Sequence, residues 1–143
     1  MIGDESFVQL DEAECWEFLR SHEFGRMAYH LVEEVHIAPV NYAVDHDTLL
    51  FRTAEGSKLL GVVMNPDVAF EVDEYDDRQA VSVIIRGVAR KLEEDEEHRA
   101  ENVPLRPWVK SLKYNVVEVR PTEISGRRFP LAKPWTHMRP DPE

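Results

Sequence analysis

A single cysteine, Cys15, in 143 residues excludes an internal disulfide and a thiolate zinc site. It lies beside Trp16 in an apparent helix, where a buried structural thiol is the simplest reading. Basic residues are also scarce, 17 against 28 acidic, for a net charge of −11. Such a field repels phosphodiester backbones and anionic lipid, so neither nucleic acid nor a membrane surface is expected as a partner. No run approaches the roughly 20 apolar residues of a membrane span. Met1 is followed by Ile2-Gly3-Asp4-Glu5, which has neither a basic nor an apolar leader region, and the expectation is a cytoplasmic protein.

Metal and nucleophile signatures are missing too. The six histidines (His22, His30, His36, His46, His98, His137) form no HExxH pair or other zinc spacing, and GxSxG is absent around Ser57. The acidic run at 93–97 reads as a solvated helix face.

What is present is a β-rich pattern in a chain with 43% hydrophobic residues, enough for a core. Residues 1–8 read as a loose lead-in. Asp11 with Glu14 makes a capping box for a helix bearing Cys15, Phe18 and Leu19. Strands are expected over 25–32, 35–44 and 48–53, with Glu33-Glu34 as a turn. A helix follows over 57–64, stopped by Asn65-Pro66. Further strands are expected over 67–73, 80–92 and 114–124, with a helix-like acidic stretch over 93–102 and an extended or mobile tail from Pro130. About six strands without a βαβ rhythm indicate a mostly antiparallel β-barrel with short helices, one domain over residues 1–143.

The chemistry concentrates in residues 51–59, FRTAEGSKL. Arg52, Thr53, Ser57 and Lys58 surround a glycine turn between a strand and a helix. Hydroxyls, free backbone N–H groups at a helix start, and a cation are what one phosphate requires. Read alone, the same residues also suit a plain helix cap with a solvated lysine.

The ordered series resembles the pyridoxamine 5′-phosphate oxidase-like family. It consists of Phe51-Arg52-Thr53, Ser57-Lys58, Asn65-Pro66, an alternating strand, then Val83-Ile84-Ile85-Arg86-Gly87-Val88-Ala89 and an acidic helix. The likeness runs from about Leu10 to Phe129 and is nearest to the small branch that includes nitroimidazole-resistance proteins. It implies an FMN-binding split β-barrel acting as a homodimer, with flavin in clefts at the interface, and a flavin-dependent oxidoreductase. Thr53, Ser57 and Lys58 fall where the family holds the FMN phosphate, Lys58 replacing the usual arginine and Leu59 a frequent second cation. Arg52 is a candidate to compensate. Pro39-Val40-Asn41-Tyr42 falls where the family lays a strand along the flavin ring.

Ile37 and Tyr42 stand where the oxidases carry arginine and lysine, and Ser82 where a glutamine is usual, which speaks against vitamin B6 oxidation. Trp108, in a proline-fixed loop, and Arg128, in Gly126-Arg127-Arg128-Phe129, are further pocket candidates; an interface anchor and a solvated arginine are their plainer readings. A deazaflavin is the alternative cofactor, and a non-catalytic flavin-binding or redox-sensing module the alternative role. Haem is known in the fold, but no axial-ligand motif supports it here.

Overall fold

Asp11 opens the first helix. Its Oδ1 accepts the Glu14 amide at 2.8 Å, and Glu14 Oε1 accepts the Asp11 amide at 3.0 Å, closing the capping box. Helix α1 (Glu12–Arg20) then buries Cys15, Trp16 and Leu19. The computed structural model describes residues 7–54, 56–105 and 115–132.

The strands are β1 (Val8–Leu10), β2 (Phe24–Leu31), β3 (Glu34–Asn41), β4 (Ala43–Asp45), β5 (Thr48–Thr53), β6 (Asp67–Tyr75), β7 (Gln79–Lys91) and β8 (Asn115–Pro130). Helix α2 (Ser57–Met64) follows β5, and a 3₁₀ segment, Glu94–Glu101, follows β7. Among the described residues all eight strands join one antiparallel sheet, ordered β3-β2-β6-β7-β8-β5-β4, with β1 added on β8. β3 and β4 lie at opposite ends of that order, yet only Tyr42 separates them in the chain. The sheet must therefore curl until its ends meet, which makes the expected barrel.

Tyr42 is the closing post. Its amide donates to the Glu23 carbonyl at 2.9 Å and its hydroxyl to the Leu19 carbonyl at 2.7 Å. Its ring meets Phe70 edge-on at 5.2 Å. Strict alternation puts Met27, Tyr29, Leu49, Phe51, Phe70, Val72, Val83, Ile85, Val117 and Val119 inside the barrel. Full burial of such side chains contributes roughly 1.5–3 kcal/mol each before chain entropy is offset.

A second cluster, with Leu50, Leu92, Ala100, Leu105 and Val116, lies on the opposite face of β5 and β8, beneath the 3₁₀ segment. Glu118, 1% exposed, anchors that side: it accepts from Arg99 Nη1 at 2.7 Å and from Arg90 Nε at 3.2 Å. Arg99 also reaches Asp45 at 2.7 Å and Thr48 at 3.2 Å.

Four boundaries differ from the sequence-based expectation. The strand count among the described residues is eight rather than about six, because the short β1 and β4 carry little periodic signal. The expected strand over 35–44 breaks at Tyr42, where the chain passes from one end of the sheet to the other. β8 runs on through Gly126-Arg127-Arg128-Phe129 to Pro130, held by β7 and β1, and Val8 of the supposed lead-in pairs with Arg128. The acidic run is not merely solvated, since Glu96 grips Arg90 at 2.7 and 2.8 Å. Residues 1–6 and the tail beyond 132 lie outside the described residues. Among the described residues no helix is long and apolar enough to cross a membrane.

Candidate functional site

The barrel is not sewn shut. β4 pairs with β5 through Ala43↔Leu50, Val44↔Leu49 and Asp45↔Thr48. In the same register Tyr42 would next oppose Phe51, Asn41 would oppose Arg52, and Val40 would oppose Thr53. Instead the chain turns away at Tyr42, and Asn41 and Val40 pair with Phe24 and Gly25 of β2. Phe51, Arg52 and Thr53 pair with Val117, Val116 and Asn115 of β8, and β4 does not extend to them. The ladder thus opens with Val40 and Asn41 on one lip and Arg52 and Thr53 on the other. Two segments singled out from the sequence, 39–42 and 51–53, lie on either side of this opening.

Helix α2 starts at the β5 lip. Gly56 precedes it at φ 158° with no side-chain cap, and nothing lies within 4 Å of where a Cβ would stand. Among the described residues no side chain caps the first turn of α2. α2 itself is pressed onto β2: a Cβ on Gly61 would come within 2.5 Å of the His30 carbonyl.

Lys58 is half-buried in the first turn of α2, its Nζ 6.0 Å from the centroid of the buried Phe51 ring. Burial pushes its ammonium pKa down. No carboxylate pairs with it among the described residues, although 28 acidic residues are available in the chain. Thr53 is 8% exposed and its hydroxyl reaches only the adjacent Ala54 carbonyl at 3.2 Å; Ser57 is exposed.

Arg52 is elsewhere. It shares the β5 face of Leu50 and Val116, opposite to that of Phe51 and Thr53, and lines a hollow of about 380 Å³ with Glu94, Glu97, His98 and Glu101. Leu59 packs into the barrel core. On the other lip Pro39 is exposed, Val40 buried and Asn41 half-buried. The Tyr42 side chain is committed to the core, burial pushes its phenol pKa up, and its amide is held by the Glu23 carbonyl, so only its own carbonyl remains for a ligand. Arg128 is exposed on β8 between Val8 and Val81, and Trp108 lies outside the described residues.

Ser82 joins a group that sequence reasoning missed. Its hydroxyl donates to Glu71 Oε2 at 3.2 Å, and Arg26 bridges Glu71 and Asp73 on the outer sheet face. Burial and a bond shared with Asp73 push the Glu71 carboxyl up against the pull of Arg26. The signal was the cross-strand row Arg26–Glu71, visible only once the β2–β6 register is known.

A family model described as pyridoxamine 5′-phosphate oxidase matches residues 11–128. The chain belongs to that family. Among family structures, a candidate pyridoxamine 5′-phosphate oxidase of Corynebacterium glutamicum is 39% identical, with a TM-score of 0.78 over 91% of this chain and 98% of that one. The FAD binding protein of Mycobacterium smegmatis is 42% identical, with a TM-score of 0.76 over 87% of this chain and 100% of that one. The uncharacterized protein Rv0080 of Mycobacterium tuberculosis is 30% identical over 129 residues, 85% of each chain. The split-barrel fold expected of the family is the one observed, a curled antiparallel sheet with three short helices.

Proposed function

We propose that this pyridoxamine 5′-phosphate oxidase family member binds a flavin nucleotide in the split and serves as a flavin-dependent oxidoreductase. The observation that carries the reading is Lys58: a half-buried cation, left without a carboxylate among the described residues of a strongly acidic chain, beside an uncapped helix start. Such an arrangement is stable when an anion completes it. The residues fit a flavin's phosphate, with Lys58, Thr53, Ser57 and the α2 amides holding it and Pro39, Val40, Asn41 and the Tyr42 backbone flanking the ring. Trp108 and Arg128 are second-rank contributors. FMN is the sequence-based expectation, and the FAD-binding relative at 42% identity makes FAD an equal candidate; a deazaflavin is the remaining one.

A bound flavin would supply the hydride or electron chemistry. The chain's own part is to bind the phosphate, orient the ring between the lips and exclude water with the barrel wall. Adding riboflavin, FMN, FAD or a deazaflavin to the purified protein should raise its melting temperature for at least one of them and change that ligand's fluorescence. No shift with any of the four refutes the reading.

A homodimer in the cytoplasm is part of the same proposal. Leu60, Val63 and Met64 of α2 are 52%, 63% and 62% exposed, and Val35 and Ile37 of β3 are 67% and 71% exposed. Apolar side chains exposed on the two elements that flank the split fit an interface between two copies. Sedimentation should give twice 16.6 kDa, and Val63→Glu should shift it toward the monomer.

The missing oxidase side chains at Ile37, Tyr42, Leu59 and Ser82 favour a second reading, a flavin-binding module without turnover. Steady-state reduction with a nicotinamide donor and an acceptor panel would eliminate it.

A further inference from the structure

The lip that carries Val40 and Asn41 belongs to β3, and in the sheet order β3 has one neighbour, β2. β2 pairs with β6 at three positions, Arg26↔Glu71, Met27↔Phe70 and Ala28↔Ala69, against eight between β2 and β3 and nine between β6 and β7. Val40 and Asn41 pair with Gly25 and Phe24, the two residues of β2 that lie beyond the three-position ladder. The strands stay close there, since a Cβ on Gly25 would come within 2.6 Å of the Glu71 carbonyl.

A side-chain brace takes over where that ladder stops. Arg26 Nε donates to Glu71 Oε1 at 3.1 Å, and Arg26 Nη2 reaches the same oxygen and Asp73 Oδ2, each at 2.5 Å. In the β2–β6 register Asp73 would stand opposite Phe24, so the guanidinium leans from the last paired position toward the lip. The Ser82 hydroxyl of β7 donates to Glu71 Oε2 at 3.2 Å, which ties the brace to the long ladders on either side of β7. On β3 the residue paired with Arg26 is Pro39, itself part of the lip. Resting on the flavin reading for the ligand's identity, we propose that Arg26 is a positioning residue of the split: it holds Glu71 and Asp73 together and so fixes the Pro39–Asn41 lip against the ring.

This role carries a signature in pH. Two adjacent carboxylates repel, and Arg26 is the cation that keeps these two together. Burial and the bond shared with Asp73 already push the Glu71 carboxyl up, and removing Arg26 takes away the pull that opposes them. Loss of Arg26 therefore matters most where both carboxyls are ionised. It matters less as acid protonates Glu71, which then donates to Asp73. Other charged groups around the brace are Arg86 on β7, Arg127 and Glu123 on β8, Asp67 and Glu74 on β6, His22 on Glu74, and His30 and His36 on β2 and β3. They are common to every variant, so dividing a variant's affinity by that of the wild type at each pH removes their part.

Riboflavin is the probe, because it has no phosphate and does not depend on Lys58. Its affinity is measured by fluorescence titration for the wild type, Arg26→Gln and the double variant Arg26→Gln/Glu71→Gln between about pH 5 and 8, above the ordinary glutamate value of about 4.3. Amide hydrogen exchange of the ligand-free proteins reads the lip itself. Arg26→Gln should weaken riboflavin about tenfold at the upper pH and about threefold or less at the lower, as expected for residues in one charged network. Exchange at Val40 and Asn41 should quicken more than at the core residues Val83 and Ile85. The double variant, with the repelling charge gone, should return to within about threefold of the wild type. Unchanged affinity and lip exchange in Arg26→Gln would make the brace an ordinary surface ion pair and overturn the inference while flavin binding stands. A loss equal at both ends of the pH range, or a double variant as weak as the single, overturns it too. Should Arg26→Gln not fold, the double variant decides alone: binding near the wild type upholds the brace and weak binding overturns it. If riboflavin, FMN and FAD all fail to bind the wild type, the flavin reading falls and this inference with it.

Discussion

Replacing Lys58 with methionine should separate holding a phosphate from holding the fold. A cation and a phosphate about 4 Å apart attract by about 4 kcal/mol at an effective dielectric near 20. Desolvating both partners offsets part of that, and hydrogen bonds to charged groups contribute about 1.5–3 kcal/mol net. Affinity for FMN or FAD should therefore fall about 10- to 100-fold, at roughly 1.4 kcal/mol per factor of ten. Riboflavin has no phosphate, and its affinity should stay within about twofold. The ligand-free protein should lose no stability, because a half-buried ammonium that pairs with no carboxylate among the described residues gives way to an apolar chain of similar length against Phe51. Fluorescence titration with the three flavins, alongside thermal melting of the ligand-free variant, reads all of this. Equal weakening of riboflavin and FAD, or a melting temperature several degrees lower without ligand, would refute the role given to Lys58.

Glu118→Gln removes the carboxylate gripped by Arg90 and Arg99, which keep Glu96 and Asp45 as partial substitutes. We expect a loss of about 2 kcal/mol and a melting temperature lower by roughly 4–8 °C; a change under about 1 °C would contradict it. Acid should erode the same side of the barrel. Arg90 holds the Glu96 carboxyl down at about 2, and at Asp45 the Arg99 and His46 bonds prevail over burial to keep the pKa low. Both carboxyls are more acidic folded than unfolded, so their stabilisation is present above the ordinary carboxylate range and is lost as pH falls through their lowered values, about 2 for Glu96. Urea midpoints measured across that window should drop, and an unchanged midpoint would remove the network from the account. Gly61→Ala places a Cβ 2.5 Å from the His30 carbonyl and 2.8 Å from the Tyr29 ring. It should cost about 1–3 kcal/mol and weaken flavin binding by displacing the start of α2. Retained stability and affinity would show that the α2–β2 contact is loose.

Local signals were readable in the chain, and long-range ones were not. The Asp11–Glu14 box and the α2 span from Ser57 to the Asn65-Pro66 stop depend on neighbours within four residues, so the side chains announce them. The hairpin between β2 and β3 was marked by Glu33-Glu34, one residue past the actual turn at Val32-Glu33, since Glu34 already pairs with Leu31. Tyr42 as the joint of the barrel was invisible, because its strand pattern continues smoothly while its partners, Glu23, Leu19 and Phe70, come from elsewhere. Glu118 was equally hidden, a charged residue in an apolar strand whose cations lie 19 and 28 positions away. Within the candidate site, the motif singled out Lys58 and Thr53 but could not orient Arg52. Strand alternation left its direction open until the β5–β8 register set its face.

The central claim is that the split of this barrel holds a flavin. An absorption spectrum of the protein as purified, after saturation with riboflavin, FMN and FAD in turn and removal of unbound ligand, tests it most directly. Retained flavin bands near stoichiometric amounts, identified by mass spectrometry of what denaturation releases, are the expected result. A colourless protein after all three incubations would contradict the account.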